Sequence, residues 1–319
     1  MARCGPPPRL RVAAQAGYAA GVSRLVTLPE PHEPQAPSPA SRPRTGRVLI
    51  ICGDDDLRRG LVTARELADV DIDLCDGNAA ALRCVRRRAC DVLITDPAAT
   101  ASENLALLKE VRQLRPGVRA LLLAMSQTPD EVVEALRQQV FATFSAPFDI
   151  PEVALMARRA IDEIDWHDGI EVVSGMRDWI TLRVSCRLVS AERLTRFMTE
   201  HRSDLGPDER DLLMVAFREM LINAMEHGAG FDPEKVVEVT AARTDRTIVF
   251  HFRDPGPGFQ RQALPHAANG LDDPLSHLEV REEEGLRPGG FGMLLVKQIV
   301  DEVIYNESGN EVILIKHLH

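Results

Sequence analysis

The chain has 319 residues, a formal net charge of -10 and a pI near 5.5. At ~150 residues per domain this length suggests two domains plus extensions, and the 45% apolar content is enough for two separate cores. The acidic balance argues against direct nucleic-acid binding, which needs Lys and Arg to displace counterions. No apolar run approaches the ~20 residues that span a bilayer, so no membrane association is expected.

Residues 1–46 carry Gly5-Pro6-Pro7-Pro8, then Pro29, Pro31, Pro34, Pro37, Pro39 and Pro43 with scattered Arg. Such a segment cannot bury enough apolar surface to offset its chain entropy, and it reads as a disordered Pro/Arg-rich tail. A start codon placed too far upstream and a transit peptide are the two alternatives for it. From Arg47 the pattern changes. Val48–Ile51 is a buried-strand run, a helix is expected near 56–67, and Asp91–Asp96 is a further strand that ends in an acid. Helix near 103–114, strand at 120–124, helix at 130–139 and extended chain at 141–145 follow, until Pro147 breaks the pattern. Strands alternating with helices imply a doubly wound parallel sheet over 47–150.

Residues 151–177 read as a helical connector, with helix from Pro151 to about Asp165. The alternation then stops. Residues 179–184 alternate like a half-buried strand, and helices are expected near 191–201 and 207–227. Strands at 236–240 and 247–253, an irregular stretch at 259–287, a helix at 291–303 and a closing hairpin across Gly309-Asn310 complete the chain. Helices segregated from antiparallel strands indicate an α+β sandwich over 178–319.

Three segments of this second domain carry chemistry together. In Phe217–Gly228, the residues Leu213, Phe217, Met220, Leu221 and Ala224 make a buried stripe, while Glu219 and Asn223 stack one turn apart on another face. Asn is a mediocre helix former, so its place here suggests a role other than helicity. A carboxylate and a carboxamide so placed can orient a hydroxyl and hold Mg2+, though a solvated helix face has the same pattern. Asp254-Pro255-Gly256-Pro257-Gly258 leaves a strand. Its carboxylate can accept from an exocyclic amine such as that of adenine, and its glycines let a backbone approach a flat ligand; a tight turn is the plain alternative. Gly289-Gly290-Phe291-Gly292 opens a helix whose free N–H groups form an anion cradle, or else it is a hinge.

In this order the three boxes resemble those of GHKL-type (Bergerat-type) ATP-binding domains. The segments REMLINAMEHG, RDPGPGF and GGFGMLLVKQIVDEVIYNESGNEVILIKHL resemble the bacterial anti-sigma factor serine kinases. That resemblance implies ATP and Mg2+ as cofactors. It implies Glu219 as the base acting on a substrate serine, and Asn223 as the Mg2+ ligand. Asp254, Gly256 and Gly258 would lie at the adenine, Gly289, Gly290 and Gly292 at the phosphates, and 259–287 would form a lid. It also implies a cytoplasmic regulatory kinase in a partner-switching pathway, a homodimer acting on an anti-sigma-antagonist-like protein and on a sigma factor. The alternatives are a non-catalytic ATP-dependent switch that sequesters its partner, and a histidine kinase-like protein. The expected connector helix contains no His, and His167 only follows its end.

The first domain resembles a two-component receiver, with Asp96 where the phosphoacceptor would be. Cys52-Gly53 stand where an acidic pair is expected, Ala124 replaces a hydroxyl residue and Ala146 replaces a Lys. Phosphoryl transfer to an Asp needs a metal and a cation against the developing charge, so a pseudo-receiver that docks or dimerises is expected. The six cysteines, Cys4, Cys52, Cys75, Cys84, Cys90 and Cys186, form no paired CxxC and read as reduced thiols rather than a zinc site.

Overall fold

The computed structural model describes residues 46–163, 167–258 and 291–318. The expected tail up to residue 45, the expected lid at 259–287 and both Gly289 and Gly290 lie outside the described residues.

The first layer is a five-stranded parallel sheet in the order β2-β1-β3-β4-β5. It is built from β1 (Arg47–Ile51), β2 (Asp71–Cys75), β3 (Val92–Ile94), β4 (Arg119–Ala124) and β5 (Ala142–Ser145). Strands β1, β3 and β4 are almost wholly apolar because helices cover both faces. Those helices are α1 (Asp55–Thr63), α2 (Asn78–Arg87), α3 (Ala101–Leu114), α4 (Pro129–Arg137) and α5 (Ile150–Asp162). Capping boxes start α3 at Thr100/Glu103 and α4 at Thr128/Glu131. This is the receiver-like doubly wound arrangement.

The connector reading at 151–177 divides differently in space. Helix α5 packs Val153, Ala154, Met156, Ala157, Ala160 and Ile161 into the core under the parallel sheet, so it completes that layer. Residues Ile170–Met176 form strand β6, the edge of the second sheet.

The second sheet has six antiparallel strands in the order β10-β11-β9-β8-β7-β6. The remaining strands are β7 (Trp179–Ser185), β8 (Val236–Arg243), β9 (Thr247–Arg253), β10 (Glu302–Tyr305) and β11 (Glu311–His317). Strict alternation buries Ile180, Leu182, Val184, Val237, Val239, Ile248, Phe250, Phe252, Val312 and Leu314 on one face. Against that face lie α6 (Leu188–His201), α7 (Pro207–Asn223) and α8 (Phe291–Ile299). Phe217 of α7 anchors them, with ring centroids 5.0 Å from Phe250 and 5.2 Å from Phe252. Helix α8 ends at Ile299, short of the expected Val303. The Asp301 amide donates to the Ile315 carbonyl at 2.9 Å, and pairing with β11 captures the chain from Glu302 onward.

Both layers share one apolar cluster. Val132, Val133, Leu136 and Val140 of the first meet Ile170, Phe197 and Met198 of the second. At its centre Arg193 of α6 is 1% exposed. Its guanidinium donates to the carbonyls of Phe141 (2.8 Å) and Val140 (3.0 Å), and to the carbonyl (2.5 Å) and carboxylate (2.6 Å) of Asp168. Burial lowers the Arg193 pKa and raises that of Asp168, in each case against the attraction of the partner, so desolvation is the dominant influence on both. Arg196, one turn on, donates to the Thr143 carbonyl at 3.1 Å and lies 4.4 Å from the centre of the Phe144 ring.

Candidate active site

Helix α7 begins on Pro207 with Asp208 and Glu209 in its first turn, both favourable against the helix dipole. Leu213, Phe217, Met220, Leu221 and Ala224 are buried, as the stripe predicts. Glu219 and Asn223 are half-buried beside it. After Asn223 the helix widens into one π turn, Ala224–Gly228. Such turns displace the chain sideways from the α-helical path. Here the chain is delivered to the exit of β9, where Gly228 lies against the Asp254 side chain. A Cβ at Gly228 would overlap the Asp254 carboxylate, so only glycine lets the two segments meet.

Asp254 is held from two sides. Its amide donates to the Asn310 carbonyl at 3.0 Å, and its Oδ1 accepts the Gly256 amide at 2.8 Å. Among the described residues Oδ2 takes no hydrogen bond. Burial pushes the Asp254 carboxyl above its ordinary range, against the lowering effect of the Gly256 N–H. Gly258 has φ +77° and lies so close to the Ser308 carbonyl that a Cβ there would overlap it. The β10–β11 turn that carries Ser308 is fixed by Asn306, whose Oδ1 accepts the amides of Gly309 (2.8 Å) and Glu311 (3.1 Å).

Near the same C-terminal end of α7, Glu219 faces Gly292 in the first turn of α8. A Cβ there would come within 2.5 Å of Glu219 Oε2. The carboxylate therefore lies against the helix start, where unpaired N–H groups and the positive dipole end attract anions. Tyr305 donates its hydroxyl to Met293 Sδ at 3.3 Å and ties this helix start to β10. The structure thus brings Glu219 and Gly292 together between α7 and α8, with Asn223 one turn further along α7, and keeps Asp254, Gly256 and Gly258 together at the β9 exit.

These residues suit an adenine nucleotide. A half-buried carboxylate whose Oδ2 takes no hydrogen bond among the described residues can accept from an amine, and the α8 start, where Glu219 lies, favours anions. Asn223 would hold the magnesium ion together with nucleotide oxygens. Among the described residues no three His, Cys, Asp or Glu side chains are grouped to hold a metal on their own. His201 is buried and its pKa is pushed down to about 3 by desolvation first and by Arg202 second, while His251 pairs with Glu311 at 3.2 Å. The sequence singled out Gly228 only as the end of a box. Its contact with Asp254 and the seating of Gly258 on Ser308 depend on three distant segments meeting.

In the parallel layer, Cys52 is buried at the end of β1, and Asp54 caps α1 by accepting the amides of Asp56 and Leu57, both at 2.9 Å. Asp55 and Asp56 are exposed and lie near Arg58 and Arg59 of their own helix. Asp96 accepts the Ala98 amide at 3.0 Å. The receiver-like layer is degenerate in its acids as well as in Ala124 and Ala146.

Residues 184–316 match the histidine kinase-like ATPase domain family. The serine-protein kinase RsbW of Staphylococcus epidermidis is 27% identical over 146 residues, which are 44% of this chain and 88% of that protein. The DNA-binding transcriptional regulator NtrC of Escherichia coli (strain K12) is 28% identical over 116 residues, 36% of this chain; the chain spans only 25% of that regulator's length. The solution structure of the NtrC receiver domain aligns with 38% of this chain and 98% of its own length, at 27% identity and a TM-score of 0.33. The C-terminal part is a GHKL-like ATP-binding domain similar to a serine kinase, and the doubly wound parallel layer precedes it. No described helix is long and apolar enough to cross a membrane.

Proposed function

We propose that this chain is an ATP-dependent protein serine/threonine kinase of the anti-sigma factor type, acting on a protein partner in a cytoplasmic partner-switching pathway. The observation that carries the reading is the placement of the Glu219 carboxylate against Gly292 at the α8 start, with Asn223 one turn along α7. A base at the mouth of an anion cradle is where a hydroxyl must lose its proton as it meets a phosphoryl group. Bound ATP supplies the phosphoryl group. Asp254 would orient the purine by accepting from its amine, and Asn223 would hold the Mg2+ that offsets phosphate charge. Glu219 accepts the serine proton, and the α8 N–H groups meet the developing negative charge. The similarity to RsbW supports a protein as the substrate. The α4–β5 side of the receiver-like layer is covered by α6 and β6 of the same chain, so a homodimer would form through another face.

The test is transfer of label from ATP to a serine-bearing antagonist-like protein, with nucleotide binding measured alongside. Glu219→Ala should lower transfer by ~100-fold or more, as loss of a general base does, and should leave nucleotide affinity within a few-fold. ATP binding without transfer to any such partner would replace the kinase by a non-catalytic switch.

A further inference from the structure

Cys75 closes β2 and is buried, while Cys84 lies half-buried on α2. Their sulfurs are 2.8 Å apart. The intervening turn is pinned by the 2.5 Å ion pair between Arg58 and Asp76, and Gly77 reverses the chain at φ +78°. The Cys52 amide also donates to the Cys75 carbonyl at 3.3 Å, which fixes the end of the strand. A disulfide holds its sulfurs ~2.05 Å apart, so bonding here needs a movement of less than about 1 Å. Among the described residues no other pair of cysteines is in sulfur contact.

We propose that Cys75 and Cys84 form a reversible dithiol–disulfide site, closed by an oxidant of the peroxide class. Cys84, the more exposed sulfur, attacks a peroxide oxygen. An S–O bond forms, the O–O bond breaks, and the departing hydroxide takes the thiol proton to leave as water. Cys75 then attacks the Cys84 sulfenic sulfur. An S–S bond forms, the S–O bond breaks, and the hydroxide leaves as water with the Cys75 proton. Two thiols lose two electrons and two protons, and one peroxide becomes two waters. Burial pushes the Cys75 thiol up to about 12 and keeps it protonated, so Cys75 is a poor direct target for peroxide and gives up its proton to the departing hydroxide as it attacks Cys84. A soluble dithiol reverses the bond by exchange. The site lies apart from the nucleotide boxes, and its presence is independent of the kinase reading.

The test treats the full chain with graded hydrogen peroxide, blocks free thiols with iodoacetamide and maps peptides without reduction. Trypsin cuts after Arg83, so a disulfide joins two peptides, one holding Cys75 and the other Cys84-Val85-Arg86. The expected result is that linked pair, with alkylation lost at both cysteines and restored by dithiothreitol. In Cys75→Ser, Cys84 should advance to sulfinic and sulfonic acid, because the resolving thiol is gone. Full alkylation of both cysteines at peroxide doses that oxidise Cys90, or linkage of Cys75 to a different cysteine, overturns the proposal. The wild-type map decides this even if the variant fails to fold.

Discussion

Asp254 shows how one carboxylate can be placed between two demands. It is buried enough to have a raised pKa, yet its proposed part requires the charged form as acceptor for an amine. Protonation becomes favourable at a higher pH than for an ordinary Asp, so nucleotide affinity should weaken on acidification before ordinary carboxylates titrate. The same shift means that ionised Asp254 lowers folding stability. Its stabilising contribution is present below the unfolded pKa and is lost as pH rises through the folded one. Asp254→Asn should bind ATP ~10–100-fold more weakly, the scale of a lost hydrogen bond to a charged group, and the acid limb of the affinity profile should flatten. Titration of a fluorescent nucleotide across pH checks both outcomes. The residue types of the site were legible in the sequence because each of Glu219, Asn223, Asp254 and Gly258 sits in a short local pattern. What stayed hidden were contacts such as Gly228 with Asp254, which join residues 26 positions apart through a π turn that no local pattern marks.

At the scale of elements, helices α7 and α8 meet through a side chain and a bare backbone. Adding one methyl at Gly292 would push on Glu219 Oε2, so Gly292→Ala should reduce phosphoryl transfer while leaving the fold intact. Parallel transfer assays and thermal melts separate the two effects. Helix α6 depends on a different kind of joint. Arg193→Met removes four hydrogen bonds and leaves Asp168 buried without its cation. The expected loss is ~3–5 kcal/mol, as for other broken buried pairs, read as a lower midpoint in urea. Strands β1, β3 and β4 were legible as apolar runs because both of their faces are covered, while β5 showed only as extended chain before Pro147. Strand β2 was not, since Asp71-Ile72-Asp73-Leu74-Cys75 lies at the sheet edge with acids facing Arg47 and Arg88. Strand β6 was missed for a similar reason. It is an edge strand, and its ladder shifts register between Val172 and Ser174.

For the whole molecule, the two layers differ in what they retain. The antiparallel layer matches a histidine kinase-like ATPase domain and carries Glu219, Asn223, Asp254 and Gly258, the residues proposed for its nucleotide site. The parallel layer keeps the receiver-like frame and Asp96 but has Cys52 in place of an acid, Asp54 engaged as a helix cap, and no Lys at position 146. Incubation with acetyl phosphate and Mg2+ should therefore leave Asp96 without a stoichiometric, acid-stable and base-labile label. Input to the proposed kinase would then arrive by a route other than aspartyl phosphorylation. Arg193 and Asp168 were unremarkable in sequence, an Arg on an amphipathic helix and an Asp in a turn. Only the meeting of two layers makes them a buried pair.

The shared apolar cluster bears on how the chain can be divided. A cut at residue 150 would strip α5 from the parallel sheet, and a cut at 178 would take β6 from β7 and leave that strand's hydrogen-bonding edge bare. Either fragment would present Val133 and Leu136, or Phe197 and Met198, to water. Minimal fragments drawn from the sequence boundaries would tend to associate through those faces, so binding measured on them would mix recognition with self-adhesion. Fragments that keep residues 47–318 together avoid that confusion.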